Sequence, residues 1–331
     1  MKIGLIGATG LVGSEMLKVL EERGLGKYEL LPAASSRSIG KEIAFADRKT
    51  ALLSVEEVLA AAPDIVLLAV GSAVSLEFAP LFAEKGCYVI DNSSAWRMYE
   101  HIPLIVPQVN AAVMKRSDKI IANPNCSTIQ LVMTLFPLHQ VFTIKRLVVS
   151  TYQSVTGTGV KAVQQLMNER EGKSGEMAYP HPIDLNLLPH EGSFEENGYT
   201  SEELKLTNET QKILNDNTIQ LTATVVRVPV TGGHSESVNI EFEQPYSLDE
   251  VIDLLNNMQG VVVMNDPNTN LYPMPRFARN NDEVFVGRIR RDFSKDNCLN
   301  LWIVADNLRK GAATNAVEIA EYIISQKWVN G

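Results

Sequence analysis

Lys2-Ile3-Gly4-Leu5-Ile6 runs without a break into Gly7-Ala8-Thr9-Gly10-Leu11-Val12-Gly13-Ser14-Glu15. An apolar strand, a glycine turn and a helix start, in that order, fix the N-terminus as a strand–turn–helix unit. Gly7 and Gly10 permit a tight turn and close approach of a phosphate, and Gly13 permits close helix–strand packing. The helix start supplies N–H donors and a positive dipole end to an anion. Together with Thr9, Leu11 and Val12, these glycines form a candidate phosphate cradle. The spacing is G-x-x-G-x-x-G rather than G-x-G-x-x-G, so a ligand-free turn is the competing reading.

The same alternation continues. Strands are predicted at Lys2–Ile6, Tyr28–Ala34, Asp64–Val70, Cys87–Ile90 and Lys119–Ala122, with helices over Leu11–Glu22, Val55–Ala61 and Val74–Glu84. That order predicts a doubly wound, mostly parallel α/β sheet. Ile65-Val66-Leu67-Leu68-Ala69-Val70 is apolar throughout, as suits a strand covered on both faces. Beyond it the pattern changes. Longer strands are expected at Arg146–Gln153, Gln220–Val230, Ser235–Phe242, Glu283–Arg291 and Leu299–Val304. Helices are expected at Val160–Glu171, Ser201–Asn215, Leu248–Met258 and Ala312–Gln326. This mixture predicts a second, α+β domain with a large antiparallel component, and 172–200 reads as an extended surface excursion.

A chain of 331 residues has room for about two domains. Its net charge of −9 disfavours general nucleic-acid binding. Cys87, Cys126 and Cys298 are scattered, so neither a zinc site nor a disulfide framework is expected. No apolar run approaches the ~20 residues that span a bilayer. The N-terminus opens directly as a strand, without a signal region. A cytoplasmic protein without metal, membrane or nucleic-acid partner is the expectation.

After the second strand the chain reads Ser35-Ser36-Arg37-Ser38, where an acid would suit a ribose 2′-hydroxyl. Hydroxyls and a guanidinium suit a 2′-phosphate, which favours NADP(H); solvated loop residues are the alternative.

Asn123-Pro124-Asn125-Cys126-Ser127-Thr128 sets one thiol between a proline-restricted turn and a helical run. Ser127 and Thr128 are residue types favoured at helix starts. A thiol there is biased toward thiolate, and the unpaired N–H groups can receive an oxyanion. A buried structural cysteine is the other reading. A nucleophile needs a base and positioning groups. Arg227-Val228-Pro229-Val230-Thr231-Gly232-Gly233-His234, at a strand–turn–strand junction, is the candidate cluster for them, and a structural or merely exposed turn histidine is the other reading. Arg227 interrupts an apolar strand and therefore needs an anionic partner. The remaining histidines have no comparable setting.

Taken in order, Gly7–Gly13, Ser35–Ser38, Asn123–Thr128, Gln153, Arg227, Gly233-His234-Ser235 and Gly311–Ala316 resemble the aspartate-β-semialdehyde dehydrogenase family over essentially the whole chain. The resemblance implies a Rossmann-like NADP-binding domain of residues 1–124 and 311–331, and a catalytic and dimerisation domain of 125–310. It implies NADPH-dependent, reversible conversion of aspartyl β-phosphate to aspartate β-semialdehyde and inorganic phosphate. That step serves the lysine/diaminopimelate, threonine and methionine branches of amino-acid biosynthesis. Cys126 would be the acyl-accepting nucleophile, His234 the acid/base and Gln153 an orienting group. Arg227 would hold the substrate α-carboxylate. Asn125 would lie beside the thiol, Glu202 would meet the amino group, and Lys205 and Arg97 the phosphate. Gly157, Gly159 and Asn315 would approach the nicotinamide, and the protein would be a homodimer. An N-acetylglutamyl-phosphate reductase shares this chemistry. A noncatalytic NADP-binding protein would be expected to lack Cys126, Gln153, Arg227 or His234, and all four are present.

Overall fold

Ile65-Val66-Leu67-Leu68 forms a strand buried at every residue, in the middle of a five-stranded parallel sheet. The structure, a computed structural model, describes residues 1–329 and divides into two units. The first comprises Met1–Pro124 and the segment from Ala312 onward; the second is Asn125–Gly311.

In the first unit the strands are β1 (Lys2–Ile6), β2 (Glu29–Ala33), β3 (Glu42–Phe45), β4 (Arg48–Ala51), β5 (Ile65–Leu68), β6 (Tyr88–Asp91) and β7 (Ile120–Ala122). Helices α1 (Leu11–Glu22), α2 (Val55–Ala61), α3 (Ser72–Glu84) and α4 (Pro107–Asn110) intervene. The sheet runs β2-β1-β5-β6-β7, so strand order reverses between β1 and β5. The turn after β1 opens at that switch point, where α/β sheets bind ligands. The sequence does not announce the β3–β4 hairpin. Its turn uses Ala46 (φ 48°) and Asp47 (φ 59°) rather than the glycine or asparagine that would have marked it.

The second unit holds α5 (Cys126–Phe142), β8 (Ile144–Ser154), α6 (Val160–Arg170), α7 (Ser201–Leu214), β9 (Gln220–Val228), β10 (His234–Phe242), α8 (Leu248–Asn256), β11 (Val261–Val263), α9 (Pro275–Ala278), β12 (Val284–Arg291) and β13 (Cys298–Ala305). Its six strands run β11-β12-β13-β10-β8-β9. The three central pairings are antiparallel and the outer two parallel, the mixed sheet expected. Ile129 to Leu135 of α5 are all buried, which is why this helix is apolar all round. The run from 171 to 200 has no helix or strand. It is pinned to β9 by an isolated bridge, Leu188 to Arg227.

The chain returns to the first unit as α10 (Thr314–Ser325). Ala316, Val317, Ile319, Ala320 and Ile323 join Leu5, Met16, Leu20, Leu67 and Ile90 in one core. Ala312 and Ala313, expected as helical start, instead end a π-helical turn over Arg309–Ala313. Among the described residues, no helix is long and apolar enough to cross a membrane.

Candidate active site

The glycine turn is built as a cradle. Gly7 has φ +89°, and a Cβ there would lie 2.3 Å from Ala69 O. A Cβ on Gly13 would lie 2.1 Å from Gly7 O, so α1 packs directly on the turn only because Gly13 has no side chain. Gly10 is the N-cap of α1, and no side chain caps the helix. The first N–H groups, beginning at Leu11, Val12 and Gly13, are thereby left for an anion. Thr9 and Gly10 are exposed at the lip. Ser35, Ser36 and Arg37 are exposed in the turn after β2, with Ser38 half-buried. These features fit a dinucleotide: backbone donors for a pyrophosphate, and hydroxyls with a cation for a 2′-phosphate. Among the described residues no cluster suits a metal ion.

Two other predicted residues of this unit are buried in internal bonding. Arg97 donates from Nε to Asn123 O (2.9 Å) and from Nη2 to Asn92 O (2.8 Å). Asn315 is fully buried and donates from Nδ2 to Ile105 O (2.9 Å) and Asn123 Oδ1 (2.6 Å). Both side chains therefore brace the segment leading to Pro124.

In the second unit Cys126 is the first residue of α5 and is half-buried, whereas Cys87 and Cys298 are buried. The cap is Asn125, not Ser127 or Thr128. Its Oδ1 accepts from Ser127 N (2.9 Å), so the helix begins at the thiol itself. Asn125 is tied down at its other groups too. Its Nδ2 donates to Glu202 Oε1 (2.6 Å), and its backbone N–H donates to Glu209 Oε2 (2.7 Å). Glu202 and Glu209 lie two turns apart on α7, whose start is fixed by a Thr200–Glu203 capping box. Lys205 Nζ pairs with Glu202 Oε2 at 2.8 Å. A Cβ on Gly311 would come within 2.8 Å of Cys126 Cβ, so glycine there keeps room for the thiol.

Strand β8 gathers the rest. Gln153 is in register with Arg227 on β9 and donates to Ser127 Oγ (3.0 Å), beside the thiol. Ser154 donates its N–H to His234 Nδ1 (2.9 Å), and its carbonyl accepts from Arg227 Nη1 (2.6 Å). One residue thus holds the imidazole on one side and the guanidinium on the other. Because Nδ1 accepts, the neutral ring carries its proton on Nε2. His234 is fully buried, and its Nε2 makes no hydrogen bond within the protein. Burial, reinforced by the Arg227 charge, lowers its pKa to about 3; Glu202 and a Gly233 backbone bond oppose this. Gly233, at φ +145°, makes the bend that delivers His234 to the start of β10.

Gly157 shows where these groups converge. A Cβ there would lie 2.9 Å from Arg227 Nη1 and 3.0 Å from His234 Nε2. The missing side chain leaves a slot bordered by both. Gly159 caps α6 at φ +106° with nothing near its Cβ position.

Sequence reasoning missed four contributors. Glu209 and the Ser154 backbone leave no motif, since one acid and one peptide group in regular elements look like any other. Glu191 lies in the 172–200 excursion yet meets the buried Arg227, with Oε2 2.7 Å from Nη2 and 3.2 Å from Nε. Glu236, two residues beyond His234 on β10, is fully buried and faces Gln130, one turn after Cys126. Burial pushes its carboxyl well above the usual range, and Gln130 opposes that rise.

Two family models match the chain: a semialdehyde dehydrogenase NAD-binding domain over residues 2–117, and a semialdehyde dehydrogenase dimerisation domain over 135–310. An aspartate-semialdehyde dehydrogenase of Aquifex aeolicus is 48% identical, covering 98% of both chains. The aspartate semialdehyde dehydrogenase II of Vibrio cholerae, solved in complex with ASA, superposes with a TM-score of 0.94 at 41% identity, covering 98% of both chains. That of Candida albicans, solved with NADP, gives 0.75 at 25% identity and covers 99% of both. With NAD(P)-domain and dimerisation-domain models matched and relatives this similar over the full length, the chain belongs to the aspartate-semialdehyde dehydrogenase family of oxidoreductases.

Proposed function

We propose that this enzyme reduces aspartyl β-phosphate to aspartate β-semialdehyde with NADPH, reversibly and through a Cys126 thioester, in the biosynthesis of aspartate-derived amino acids. The observation that carries the reading is the slot at Gly157, bordered by His234 Nε2 and Arg227 Nη1. It pairs a proton-bearing donor with a carboxylate-binding cation, and the thiol beside Gln153 belongs to the same unit.

The Cys126 thiolate attacks the acyl carbon, a C–S bond forms, and the bond to phosphate oxygen breaks. Phosphate leaves and takes up a proton. NADPH, which the Gly7–Gly13 cradle and Ser35–Ser38 would hold, would supply when bound a hydride to the thioester carbon. The resulting oxyanion collapses, the C–S bond breaks, and aldehyde and thiolate are released. Capture on sulfur divides one hard step into two. The N–H groups opening α5 stabilise the oxyanion in both. His234, neutral with its proton on Nε2, donates a hydrogen bond to that oxyanion. A doubly charged phosphate raises the ring's proton affinity, so the loaded site can use it as acid/base. Gln153 orients the acyl group, and Arg227, whose Nη1 borders the slot, holds the α-carboxylate. Asn125 stands beside the sulfur and Glu202 meets the substrate amino group, while Lys205 and Arg97 attract phosphate. Gly157, Gly159 and Asn315 belong to the nicotinamide surroundings in the same reading. Ser35, Ser36, Arg37 and Ser38 favour NADPH over NADH, in keeping with the Candida relative's bound NADP. The second unit, matched by a dimerisation model, pairs two copies.

Phosphate-dependent NADP⁺ reduction is the test, with aspartate semialdehyde and N-acetylglutamate semialdehyde offered separately. Activity with the first supports the reading. Activity confined to the second would assign the chain to the other acyl-phosphate reduction.

A further inference from the structure

Arg227 is 1% exposed, and a buried cation left without an anion is strongly destabilising. Glu191 supplies that anion through one oxygen alone. Its Oε2 lies 2.7 Å from Nη2 and accepts from Nε at 3.2 Å. Nη1 donates to Ser154 O (2.6 Å) and borders the Gly157 slot. A guanidinium is a fork that matches both oxygens of a carboxylate, and a single-oxygen contact uses it incompletely. The Glu191 side chain is also 22% exposed, so water reaches it where it does not reach Arg227.

The backbone on either side of Glu191 is pinned. Arg227 N donates to Leu188 O (2.7 Å), and Leu188 N donates to Arg227 O (3.0 Å). Gly192 turns at φ +82°, where a Cβ would lie 2.2 Å from Ser201 Oγ. Ser193 N then donates to Ser201 Oγ (3.1 Å), and Ser201 N to Ser193 O (2.8 Å). Movement at this position therefore belongs to the side chain, not to the loop.

A carboxylate arriving from the slot would set two anions on one buried cation, and their repulsion is weakly screened there. Among the described residues Arg227 is the one cation that Glu191 pairs with, so its alternative partner is solvent. Building on the function proposed above, we propose that Glu191 is a resident counter-ion. It neutralises Arg227 in the unliganded enzyme and gives way to the substrate's α-carboxylate. The guanidinium stays paired throughout, and substrate affinity is set below what an unopposed Arg227 would give. Contact with the amino group remains with Glu202.

The test is calorimetric titration of parent, Glu191→Gln, and Glu191→Gln combined with Arg227→Gln, using L-aspartate and succinate. Glu191→Gln should bind both about tenfold more tightly than the parent, and the gain should disappear in the double variant. Its KM for aspartate semialdehyde should fall in step. Equal or weaker binding by Glu191→Gln would make Glu191 only a brace for Arg227 and overturn the proposal. A gain that survives the loss of Arg227 would overturn it as well. Should Glu191→Gln not fold, a structure of the parent with L-aspartate decides. Glu191 turned away from Arg227 supports the exchange, and Glu191 still paired beside a bound carboxylate refutes it. Inactivity of the parent on the aspartate aldehyde would fail the reaction assignment alone. The succinate comparison would still decide Glu191, and succinate bound by neither protein would refute its role.

Discussion

The backbone N–H of Ser154 donates to His234 Nδ1 at 2.9 Å, which fixes which nitrogen of a fully buried imidazole holds the proton. A ring caught in this way cannot take a second proton at Nδ1 without losing that bond. Its pKa of about 3, against an ordinary 6.5, follows mainly from burial. The unfolded chain therefore binds a proton that the folded chain refuses. This contribution to stability is complete above pH 6.5 and is lost as pH falls toward 3, by up to about 1.4 kcal/mol per pH unit. Urea unfolding across that window should show the parent weakening more steeply than His234→Gln. Parallel curves would mean the ring is not held neutral.

Glu236 carries the opposite sign. Its carboxyl is raised well above 4.5 by burial, so folding takes up a proton there. The stability involved is present below pH 4.5 and is lost as pH rises toward the folded value. Glu236→Gln keeps shape and removes the ionisation. It should be more stable than the parent at neutral and alkaline pH, with the gain disappearing in acid. Greater stability of the parent at neutral pH would contradict this.

Gly157→Ala tests the slot directly. The added methyl would sit 2.9 Å from Arg227 Nη1 and 3.0 Å from His234 Nε2, in the slot proposed for the substrate. We expect kcat/KM to fall about tenfold or more, ~1.4 kcal/mol of transition-state binding, with the melting temperature held. Parent-like kinetics would place the substrate elsewhere.

For the cofactor, Arg37 is the exposed cation in the turn after β2. Arg37→Ala should weaken NADPH binding by about 1.5–3 kcal/mol, the worth of a hydrogen bond to a charged group, and leave NADH binding nearly unchanged. Equal losses for both nucleotides would remove Arg37 from 2′-phosphate recognition.

What could be read from the sequence was whatever local pattern alone dictates. The glycine turn after β1, the uniformly apolar β5 and the strand–helix alternation gave the parallel sheet. Long alternating strands gave the mixed sheet. Elements without local chemistry escaped: the β3–β4 hairpin turns on Ala46 and Asp47, and β11 is three residues long. The same division runs through the site. Cys126, Gln153, Arg227 and His234 stand in recognisable motifs. Glu191 is distant in sequence from Arg227 and lies in a segment without regular structure, so only the fold brings them together. Asn125, rather than the helix-start residue types Ser127 and Thr128, caps the helix, and it is also held by Glu202 and Glu209, which no local window contains.

The covalent role of Cys126 is best tested by Cys126→Ala, assayed for turnover and for NADPH binding on the same preparation. Turnover should vanish while NADPH affinity stays near the parent's, because the cradle at Gly7–Gly13 belongs to the other unit. Near-parent turnover in that variant would contradict the thioester mechanism outright.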